Sequence, residues 1–445
     1  QAFLAMYALQ HRGQEAGGIV AFDGEDGRLH KGSGLVSEIF DPESLEGLSG
    51  STAIGHVRYS TAGGSDPANI QPITARYRRG DLALAHNGNL TNQRALRTSL
   101  VEDGAIFSSS SDSETLVHLI AKSRAKTVDD QVMDALSHLS GAFSMALVVG
   151  GKLYAARDPR GFRPLMLGRK DNGHVVVSET CALDILGATY LRDLEPGEVV
   201  RIESNQVHEV GRLDTAPQPA PCIFELVYFA RPDSSLWGES VDRARRAFGR
   251  QLAKEHPIRA DAVIAVPDSA NSAALGYAEE SGIPFELGLL RNHYVGRTFI
   301  KPEQKDRDFG ARMKYNPVRD VLAGKRVVVV DDSLVRGTTS RSLVRMLKAA
   351  GATEVHFRIG SPPVKFPCFY GIDMPTKGEL IGSTLDVHEI EKRLGVDSLG
   401  YLSLEGMVRS VGQAGPYCTA CFSGRYPAPL VDVEEGLASE DGPAL

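Results

Sequence analysis

A run of four valines followed by two carboxylates constrains the fold of this chain more than any other feature. The valines at 327–330 are β-branched and do not alternate with polar residues, which is typical of a strand buried on both faces of a parallel sheet. Beyond Ser340 apolar residues recur at helical spacing, and Gly351 separates them from the next apolar run at 355–359. The segment therefore predicts one βαβ unit with a helix that begins beyond Ser340.

The turn after this strand has the composition of a phosphate site. Ligands bind at the carboxyl ends of parallel strands, where the following helix offers unpaired N–H groups. Asp331 and Asp332 would repel a phosphate, so we assign them to ribose hydroxyls or to a bound Mg2+. An acidic surface turn with a helix cap is the alternative, and the buried strand together with the Arg-Gly-Thr-Thr order argues against it. The candidate phosphate ligands are Arg336, Gly337, Thr338, Thr339 and Ser340.

This loop resembles the binding loop of the type I phosphoribosyltransferases, which bind 5-phosphoribosyl-1-pyrophosphate (PRPP). A second apolar strand at 263–267 leads to Ser269, which could complete a Mg2+ and pyrophosphate shell with the two aspartates. The charged segment 305–317 is short of apolar anchors, which predicts a mobile lid that covers PRPP with Arg312, Lys314 and Tyr315.

Three cations within eleven residues form a candidate pyrophosphate and nucleotide clamp. They are Arg291, Arg297 and Lys301. An exposed basic loop is the alternative interpretation of the same residues.

Composition allows more than one domain. A chain of 445 residues with 42% hydrophobic content predicts two or three domains with sizeable cores. The net charge of −7 argues against a nucleic-acid partner, and no apolar run approaches the 18 residues that suggest a membrane span. Five cysteines in a chain of this length do not form a disulfide framework, which favours a reducing, cytoplasmic setting.

A proline-rich segment at 215–221 marks the expected domain boundary. We assign 1–214 to one domain, 222–395 to a second and 396–445 to a carboxyl-terminal tail. The tail ends in an acidic, small-residue stretch that we expect to be disordered.

The amino-terminal half carries a second group of motifs, HRGQEAGG at 11–18, GHVRYST at 55–61, HNGNLTN at 86–92 and Asp-Ser-Glu at 112–114. In this order they resemble the class II glutamine amidotransferases, whose glutaminase domain is an αββα sandwich of the N-terminal nucleophile type. Hydrolysis of a side-chain amide requires anchors for the carboxylate and ammonium of the amino acid and donors for the oxyanion.

The resemblance implies a role for each candidate residue of this half. Arg58 would bind the carboxylate of glutamine and Asp112 its ammonium, while Asn87 and the Gly88 N–H would form the oxyanion hole. Arg12 would order the loop of the nucleophile.

The nucleophile of that family is an amino-terminal cysteine whose own α-amino group is the base. This chain begins at Gln1, and its first cysteine is Cys181. We therefore expect the chain as it stands not to hydrolyse glutamine but to retain synthesis from free ammonia.

Both signatures on one chain resemble the amidophosphoribosyltransferases, which catalyse the first step of purine synthesis. Further matching segments lie at 157–165, 195–198, 224–234 and 291–302. The resemblance implies that ammonia released from glutamine displaces pyrophosphate from PRPP, with AMP and GMP as feedback inhibitors and a homotetramer as the assembly.

Two alternatives are a PRPP-sensing regulatory protein without catalysis and another class II enzyme, such as a hexosamine-forming amidotransferase. The Asp-Asp loop argues against the second, because an isomerase domain does not need it.

Four of the five cysteines are candidates for a metal centre. Cys418 and Cys421 form a C-x-x-C pair, whereas Cys222 and Cys368 each follow a proline far away in sequence. Four thiolates could bind Zn2+ or a cubane cluster, or the cysteines could be buried and unrelated. Resemblance to the iron-sulfur branch of the family implies a [4Fe-4S] cluster on all four, with Cys181 unliganded.

Overall fold

The computed structural model describes residues 1–24, 26–59, 66–213, 218–293, 313–412 and 416–432. Its amino-terminal half contains three antiparallel sheets, two of which stack between layers of helices. The strands in chain order are β1 Ala16–Asp23, β2 Asp26–Ser33, β3 Thr52–Arg58, β4 Ile73–Tyr77, β5 Gly80–Leu90, β6 Gly141–Val149, β7 Lys152–Arg157, β8 Met166–Lys170, β9 Gly173–Val177, β10 Thr189–Asp193, β11 Glu198–Glu203 and β12 Gln206–Arg212. They form sheets of order β2-β1-β3, β12-β11-β7-β6-β5-β4 and β10-β8-β9.

The alternation of side chains along β1 explains the layering. Phe22 and Val20 pack against Val148 between the first two sheets, whereas Ile19 faces the opposite side and packs against Met6. On the far face of the six-stranded sheet, helices supply the remaining apolar cover. The αββα architecture predicted from the sequence is therefore confirmed. The helices of this half are Ala2–Ala8, Val36–Ile39, Pro42–Gly47, Gln93–Glu102, Ser113–Lys122, Val128–Ser137 and Thr180–Leu186.

The carboxyl-terminal half contains a four-stranded parallel sheet. Its strands are β15 Ala262–Ala265, β18 Arg326–Asp331, β19 Glu354–Ile359 and β20 Ser398–Tyr401, in the order β15-β18-β19-β20. Two ribbons accompany it, formed by β13 Ser235–Leu236 with β14 Glu239–Ser240 and by β16 Leu289–Arg291 with β17 Tyr315–Pro317. The helices are Val241–Glu255, Asn271–Ser281, Arg319–Leu322, Thr338–Ala349, Ile381–Thr384, Val387–Leu394, Leu404–Ser410 and Ala420–Ser423.

The four valines of β18 are buried on both faces of this sheet, as predicted. Val328 and Val330 belong to one apolar cluster, and Val327 and Val329 belong to another on the opposite face. Each has 0% of its surface exposed. Because both faces are covered, ligands can reach this part of the sheet only at its edges.

The helix after β18 begins at Thr338 and not beyond Ser340 as the sequence predicts. Gly337, with φ +74°, takes the left-handed conformation that precedes the helix, so the small polar residues form its first turn. The sheet also extends past residue 395, because β20 is its fourth strand. The expected disordered tail from 433 onward lies outside the described residues. Within the part of the chain that the structure describes, no helix is long and apolar enough to cross a membrane.

Candidate functional sites

The two carboxylates predicted to bind metal lie at the carboxyl end of the parallel sheet. Asp331 ends β18, and the side chain of Asp332 accepts hydrogen bonds from Ser269 Oγ at 2.5 Å and Ser333 Oγ at 2.6 Å. Ser269 is nearby because β15 and β18 are parallel neighbours, so the loops that follow them leave the same edge. The structure thus brings together the three residues that the sequence assigns to Mg2+.

Burial makes this acid pair costly to ionise. It raises the pKa of both carboxyl groups, and the charge of Asp332 raises the pKa of Asp331 further. Hydrogen bonds from Ser269 and Ser333 and the charge of Arg245 oppose the effect at Asp332. Oxygen ligands that hold excess negative charge in a confined space suit a divalent cation.

The start of the helix Thr338–Ala349 has the geometry of an anion site. Position 337 has little room for a side chain, since a Cβ on Gly337 would lie 2.8 Å from Ile381 Cδ1. The first-turn amides of a helix have no partner within the helix and point outward along its axis. Thr338 and Thr339 are exposed, whereas Ser340 is buried. Arg336 is exposed and pairs with Glu379 at 3.1 Å, so it lies at the rim of this loop.

The ribbon of β16 and β17 brings three further candidate residues beside the aspartates. Arg291 pairs with Tyr315 across the ribbon, and its Nη1 lies 3.0 Å from Asp268 Oδ2. Tyr315 is buried, and its pKa is raised by that burial and by the negative charge of Asp331. The Lys314 amine lies 5.2 Å from the centre of the Tyr315 ring. Arg297, Lys301 and Arg312 lie outside the described residues, as does most of the predicted lid.

Replacing Asp331 by Asn should stabilise the protein in the absence of divalent cations. When folding raises the pKa of a carboxyl group, ionisation of that group destabilises the folded protein. The loss of stability develops as the pH rises from the unfolded pKa, about 4, toward the folded pKa. At neutral pH we expect a gain of about 1 kcal/mol or more, equivalent to ~2–4 °C in Tm for a domain of this size. The gain should vanish toward pH 4.

Thermal unfolding of both proteins with and without Mg2+ measures this effect. Mg2+ should stabilise the wild type more than D331N. The control is D397N, because the hydrogen bonds of Asp397 to the Val355 N–H and to Lys348 overcome its burial and lower its pKa, so its loss should not stabilise. A D331N protein that melts below the wild type at neutral pH without Mg2+ would refute the assignment.

A second cleft lies in the amino-terminal half and contains every residue assigned to glutamine. About 540 Å3 of space, part of it open solvent, is bounded by side chains and backbone from both halves of the chain. Its lining includes Arg12, Arg58, Asn87, Gly88 and Asp112, which the sequence predicts, and also His56, Tyr59, Gln71, His86, Ser111, Phe229 and Gly371. Arg58 ends β3 and Asp112 precedes the helix Ser113–Lys122, so strand and helix ends position these charges.

Both residues of the expected oxyanion hole line this cleft. Asn87 Nδ2 is buried and has no hydrogen-bond partner among the described residues. Gly88 has φ +153°, and a Cβ there would lie 2.0 Å from the Ala142 carbonyl oxygen. Only glycine fits at this position, and Gly88 lines the cleft beside Asn87. An unpaired buried amide is one of the donors that a tetrahedral oxyanion requires.

Asp112 is held ionised by its neighbours. Its Oδ2 accepts from the Leu90 N–H at 3.0 Å and its Oδ1 from Ser113 Oγ at 3.2 Å, while His86 Nδ1 lies 3.7 Å away. Burial raises the pKa of Asp112, but these three groups together outweigh burial and keep it below its usual range. Burial, with the charges of His86 and Arg58, lowers the pKa of His56 to about 3, so this imidazole is neutral at pH 7. The cleft therefore offers an anion for a substrate ammonium.

Arg12 joins the two halves of the chain. Its guanidinium donates to Glu179 Oε1 at 2.5 Å and to both oxygens of Glu225, at 2.8 and 3.0 Å. Glu225 begins a single π-helical turn, Glu225–Phe229, whose last ring lies 4.6 Å from Arg12 Cζ. Phe229 lines the glutamine cleft, whereas the pKa of its neighbour Tyr228 is raised by burial and by the charges of Asp332 and Asp331. This turn therefore lines the glutamine cleft through Phe229 and feels the charge of the acid pair at Tyr228.

The four cysteines assigned to a metal centre converge between the halves. All are free thiols, and Cys222 and Cys418 pair through their backbones as an isolated β-bridge. Burial raises the pKa of Cys421, and the neighbouring Cys222, Cys368 and Cys418 raise it further. Among the described residues, no three His, Cys, Asp or Glu side chains stand close enough to hold a single metal ion. The four cysteines thus share one environment between the halves.

Some residues of the cleft that the sequence did not identify lie inside segments that it did identify, since His86 opens HNGNLTN and Phe229 lies in the segment 224–234. Gln71, Ser111 and Gly371 lie outside those segments. Gly371 has φ +93° and packs against the backbone of Gly88, since a Cβ at 371 would lie 2.7 Å from the Gly88 carbonyl carbon. Contact across 283 positions has no local sequence signal, which is why Gly371 was missed.

The chain is similar in sequence and fold to proteins of known function. The model of a family described as a glutamine amidotransferase domain matches residues 56–184. Amidophosphoribosyltransferase 1, chloroplastic, of Arabidopsis thaliana is 52% identical over 435 residues, covering 97% of this chain and 77% of that protein. The amidophosphoribosyltransferase of Bacillus subtilis is 49% identical over 434 residues, covering 96% of this chain and 91% of its own length.

Two solved structures superpose on nearly the whole chain. One is described as the structure of the allosteric regulatory enzyme of purine biosynthesis, with a TM-score of 0.92 and 49% identity, and covers 96% of this chain and 93% of that chain. The other is the glutamine PRPP amidotransferase from B. subtilis complexed with ADP and GMP, with a TM-score of 0.91 and 48% identity over 96% of this chain and 94% of that chain.

Proposed function

The chain belongs to the amidophosphoribosyltransferase family, and from that premise we propose that it transfers ammonia from glutamine to C1 of PRPP. The products are 5-phosphoribosylamine, glutamate and pyrophosphate, which is the first step of purine synthesis. The observation that supports this proposal most is that one chain holds a cleft lined by Arg58, Asn87 and Asp112 and also an acid pair at the edge of a parallel sheet.

At the acceptor site the protein positions PRPP and neutralises charge. The helix start at 338–340 would bind the 5-phosphate, and Asp331, Asp332 and Ser269 would hold Mg2+ or the ribose hydroxyls. Bound Mg2+ would neutralise the leaving pyrophosphate while ammonia attacks C1 with inversion. The raised pKa values of the two carboxyl groups support this assignment, because ionised oxygens without a cation are costly there. Little acid-base chemistry is needed from protein groups at this site.

At the glutamine site Arg58 would bind the substrate carboxylate and Asp112 its ammonium. Asn87 Nδ2 and the Gly88 N–H would stabilise the oxyanion, and the unpaired Asn87 amide supports this role. The nucleophile that the family implies is an amino-terminal cysteine, which is not among residues 1–445. Ammonia released here would pass the turn Glu225–Phe229 on its way to the acceptor site.

We assign a [4Fe-4S] cluster to Cys222, Cys368, Cys418 and Cys421. Four thiolates could hold one zinc ion or a cubane, and the resemblance to the iron-sulfur branch of the family favours the cubane. The convergence of the four cysteines, of which Cys222 and Cys368 raise the pKa of both Cys418 and Cys421, supports a shared cofactor. The cluster would attach the carboxyl-terminal segment to both halves.

Protein prepared without oxygen should be brown and contain about four irons per chain, one for each thiolate ligand of the assigned cluster. C418S should lose the colour and most of the iron because one ligand is removed. C181S should keep both, since Cys181 lies apart beside Glu179, at 3.9 Å. Iron and acid-labile sulfide assays on the three proteins measure this. A colourless, iron-free wild type would refute the cluster.

Purine nucleotides are the expected regulators. A relative has been crystallised with ADP and GMP. For this chain we propose feedback inhibition by AMP and GMP, bound by Arg291, Arg297, Lys301 and the PRPP loop. We also propose a homotetramer and a cytoplasmic location.

Release of pyrophosphate from PRPP with ammonium as the nitrogen donor tests the proposed function. The reaction does not depend on the amino-terminal cysteine, so it isolates the acceptor half. We expect release that requires both Mg2+ and ammonium. A protein that binds PRPP without releasing pyrophosphate at saturating Mg2+ and ammonium would instead be a regulatory PRPP sensor.

A further inference from the structure

Glu114 is a buried carboxylate that the proposed mechanism does not use. It closes the Asp-Ser-Glu motif at 112–114, in which Asp112 is assigned to the ammonium of the substrate. Its surface is 5% exposed. A buried carboxylate is costly unless hydrogen bonds or a counter-charge compensate it, so the partners of Glu114 indicate what it does.

Two consecutive serines supply those partners. Ser108 donates its N–H and its hydroxyl to Glu114 Oε1, both at 2.8 Å. Ser109 donates its N–H to Glu114 Oε2 at 2.7 Å and its hydroxyl to the same oxygen at 2.6 Å. Hydrogen bonds to an ionised group are stronger than those between neutral groups, and a backbone N–H has a fixed direction. The carboxylate of Glu114 therefore fixes the backbone at 108–109.

The segment 108–111, which we call the serine loop, belongs to no helix or strand. Its amides donate to side chains, since the Ser110 N–H bonds to Asn69 Oδ1 at 3.0 Å and the Ser111 N–H bonds to Ser109 Oγ at 3.3 Å. Arg97 Nη2 donates to the Ser109 carbonyl at 2.9 Å. Because backbone amides require acceptors, the conformation of the serine loop depends on these side chains, and Glu114 serves two of the four amides.

A chain of hydrogen bonds leads from Glu114 to Asp112. The Ser109 hydroxyl that donates to Glu114 accepts from the Ser111 N–H, and Ser111 Oγ accepts from the Ser113 N–H at 3.3 Å. Ser113 Oγ then donates to Asp112 Oδ1 at 3.2 Å. Ser111 and Asp112 both line the glutamine cleft. A displacement of Ser109 would therefore reach the carboxylate that is assigned to the substrate.

We infer that Glu114 is the positioning residue that makes the cleft select glutamine over amides that lack an α-amino group. It holds Ser109 and, through the serine loop, the side chain of Asp112. This inference rests on the proposed function, in which Asp112 binds the substrate ammonium. An ammonium needs an acceptor at a defined place, because hydrogen bonds weaken steeply with misalignment. An amide without that ammonium does not depend on the position of Asp112.

The competing explanation is that Glu114 only stabilises the helix Ser113–Lys122 through His118. The two side chains are one turn apart, and His118 Nε2 lies 3.8 Å from Glu114 Oε1. This distance is too long for a hydrogen bond, and a pair at this spacing stabilises a helix only slightly. H118Q removes the imidazole and leaves the serine loop intact. It should therefore leave the preference for glutamine unchanged.

The experiment compares the hydrolysis of glutamine with that of glutaramate, which is glutamine without its α-amino group. Wild type, E114Q, D112N and the double variant are measured, each with the nucleophilic cysteine ahead of residue 1. E114Q should lower kcat/KM for glutamine about tenfold, mainly through KM, because Gln offers one acceptor oxygen in place of two and turns an NH2 group toward a serine donor. Its kcat/KM for glutaramate should not change. Ammonium-dependent synthesis on the same preparations reports whether the fold is retained.

The double variant and a pair of serine variants test the route of the effect. If Glu114 acts through Asp112, the double variant should prefer glutamine no less than D112N does. S108A and S109A each remove one hydroxyl donor to Glu114, but only Ser109 Oγ also accepts from Ser111. S109A should reduce the preference for glutamine several-fold, and S108A should not.

The outcomes separate the inference from the proposed function. A wild type that hydrolyses neither amide overturns the glutamine half of the proposed function and the inference with it. A wild type that prefers glutamine, with the same preference in E114Q, overturns the role of Glu114 alone. Equal losses for both amides in E114Q also overturn it, because they show that Glu114 supports the fold. If E114Q does not fold, equal preferences in S109A and S108A contradict the inference.

Discussion

Replacing Asp332 by Asn should reduce the affinity for Mg2+-PRPP about 10- to 100-fold while leaving the fold intact. A hydrogen bond or metal contact to a charged group is worth about 1.5–3 kcal/mol, and Asn keeps the shape but not the charge. Ser269 and Ser333 donate to different oxygens of Asp332, so in the variant one hydroxyl can still donate to the remaining oxygen and the other can accept from the amide NH2. Binding by calorimetry and ammonium-dependent pyrophosphate release at varied PRPP measure the effect.

The matched control for this prediction is D261N. Asp261 lies at the opposite end of the same sheet, where it pairs with Arg326 at 2.9 Å. Its replacement should leave PRPP affinity unchanged. If D332N bound PRPP as tightly as the wild type did, the loop after β18 would be wrongly assigned. Equal losses in both variants would indicate a general effect on the sheet.

Replacing Asn87 by Ala should reduce glutamine-dependent synthesis about 10²- to 10³-fold, the usual effect of removing one oxyanion donor. Synthesis from ammonium should be unchanged, because Asn87 lies in the glutamine cleft and not at the acceptor site. The measurement needs a preparation that carries the nucleophilic cysteine ahead of residue 1. Both nitrogen donors are assayed on the same protein.

Asn92 provides the control, since it belongs to the same motif but bonds to the His138 carbonyl at 2.9 Å and to the Ser140 N–H at 3.0 Å. N92A should preserve the ratio of the two activities. A parallel loss of both activities in N87A would mean that Asn87 supports the fold. No loss at all would place the oxyanion donors elsewhere.

Local patterns predicted those features whose physical causes are local. The valines of β18 require burial on two faces, and the structure provides it. Motifs of the amino-terminal half identified Arg58, Asn87, Gly88 and Asp112, because their spacing matches a known constellation. The boundary of the helix at Thr338 was missed, since serine and threonine favour turns and helix starts equally from sequence.

Features that depend on distant contacts could not be predicted. Gly371 approaches Gly88 only when the two halves pack against each other. The same packing lets Arg12 and Arg163 share the carboxylate of Glu225. Arg163 lies in the segment 157–165 that resembles the family. No neighbouring residue in the sequence indicates that its side-chain nitrogens lack hydrogen-bond partners among the described residues. Such relations depend on tertiary packing, which composition and periodicity do not encode.

The central claim is that two sites on this chain act as one enzyme. It is tested most directly by supplying glutamine labelled with 15N in its amide, together with PRPP, Mg2+ and excess unlabelled ammonium, to a preparation with the nucleophilic cysteine. We predict that trapped phosphoribosylamine carries mainly 15N, with glutamate and pyrophosphate formed in equal amounts. The account would be contradicted if the 15N content of the product merely matched the proportions of glutamine and ammonium in solution. It would also be contradicted if glutamate formed without pyrophosphate.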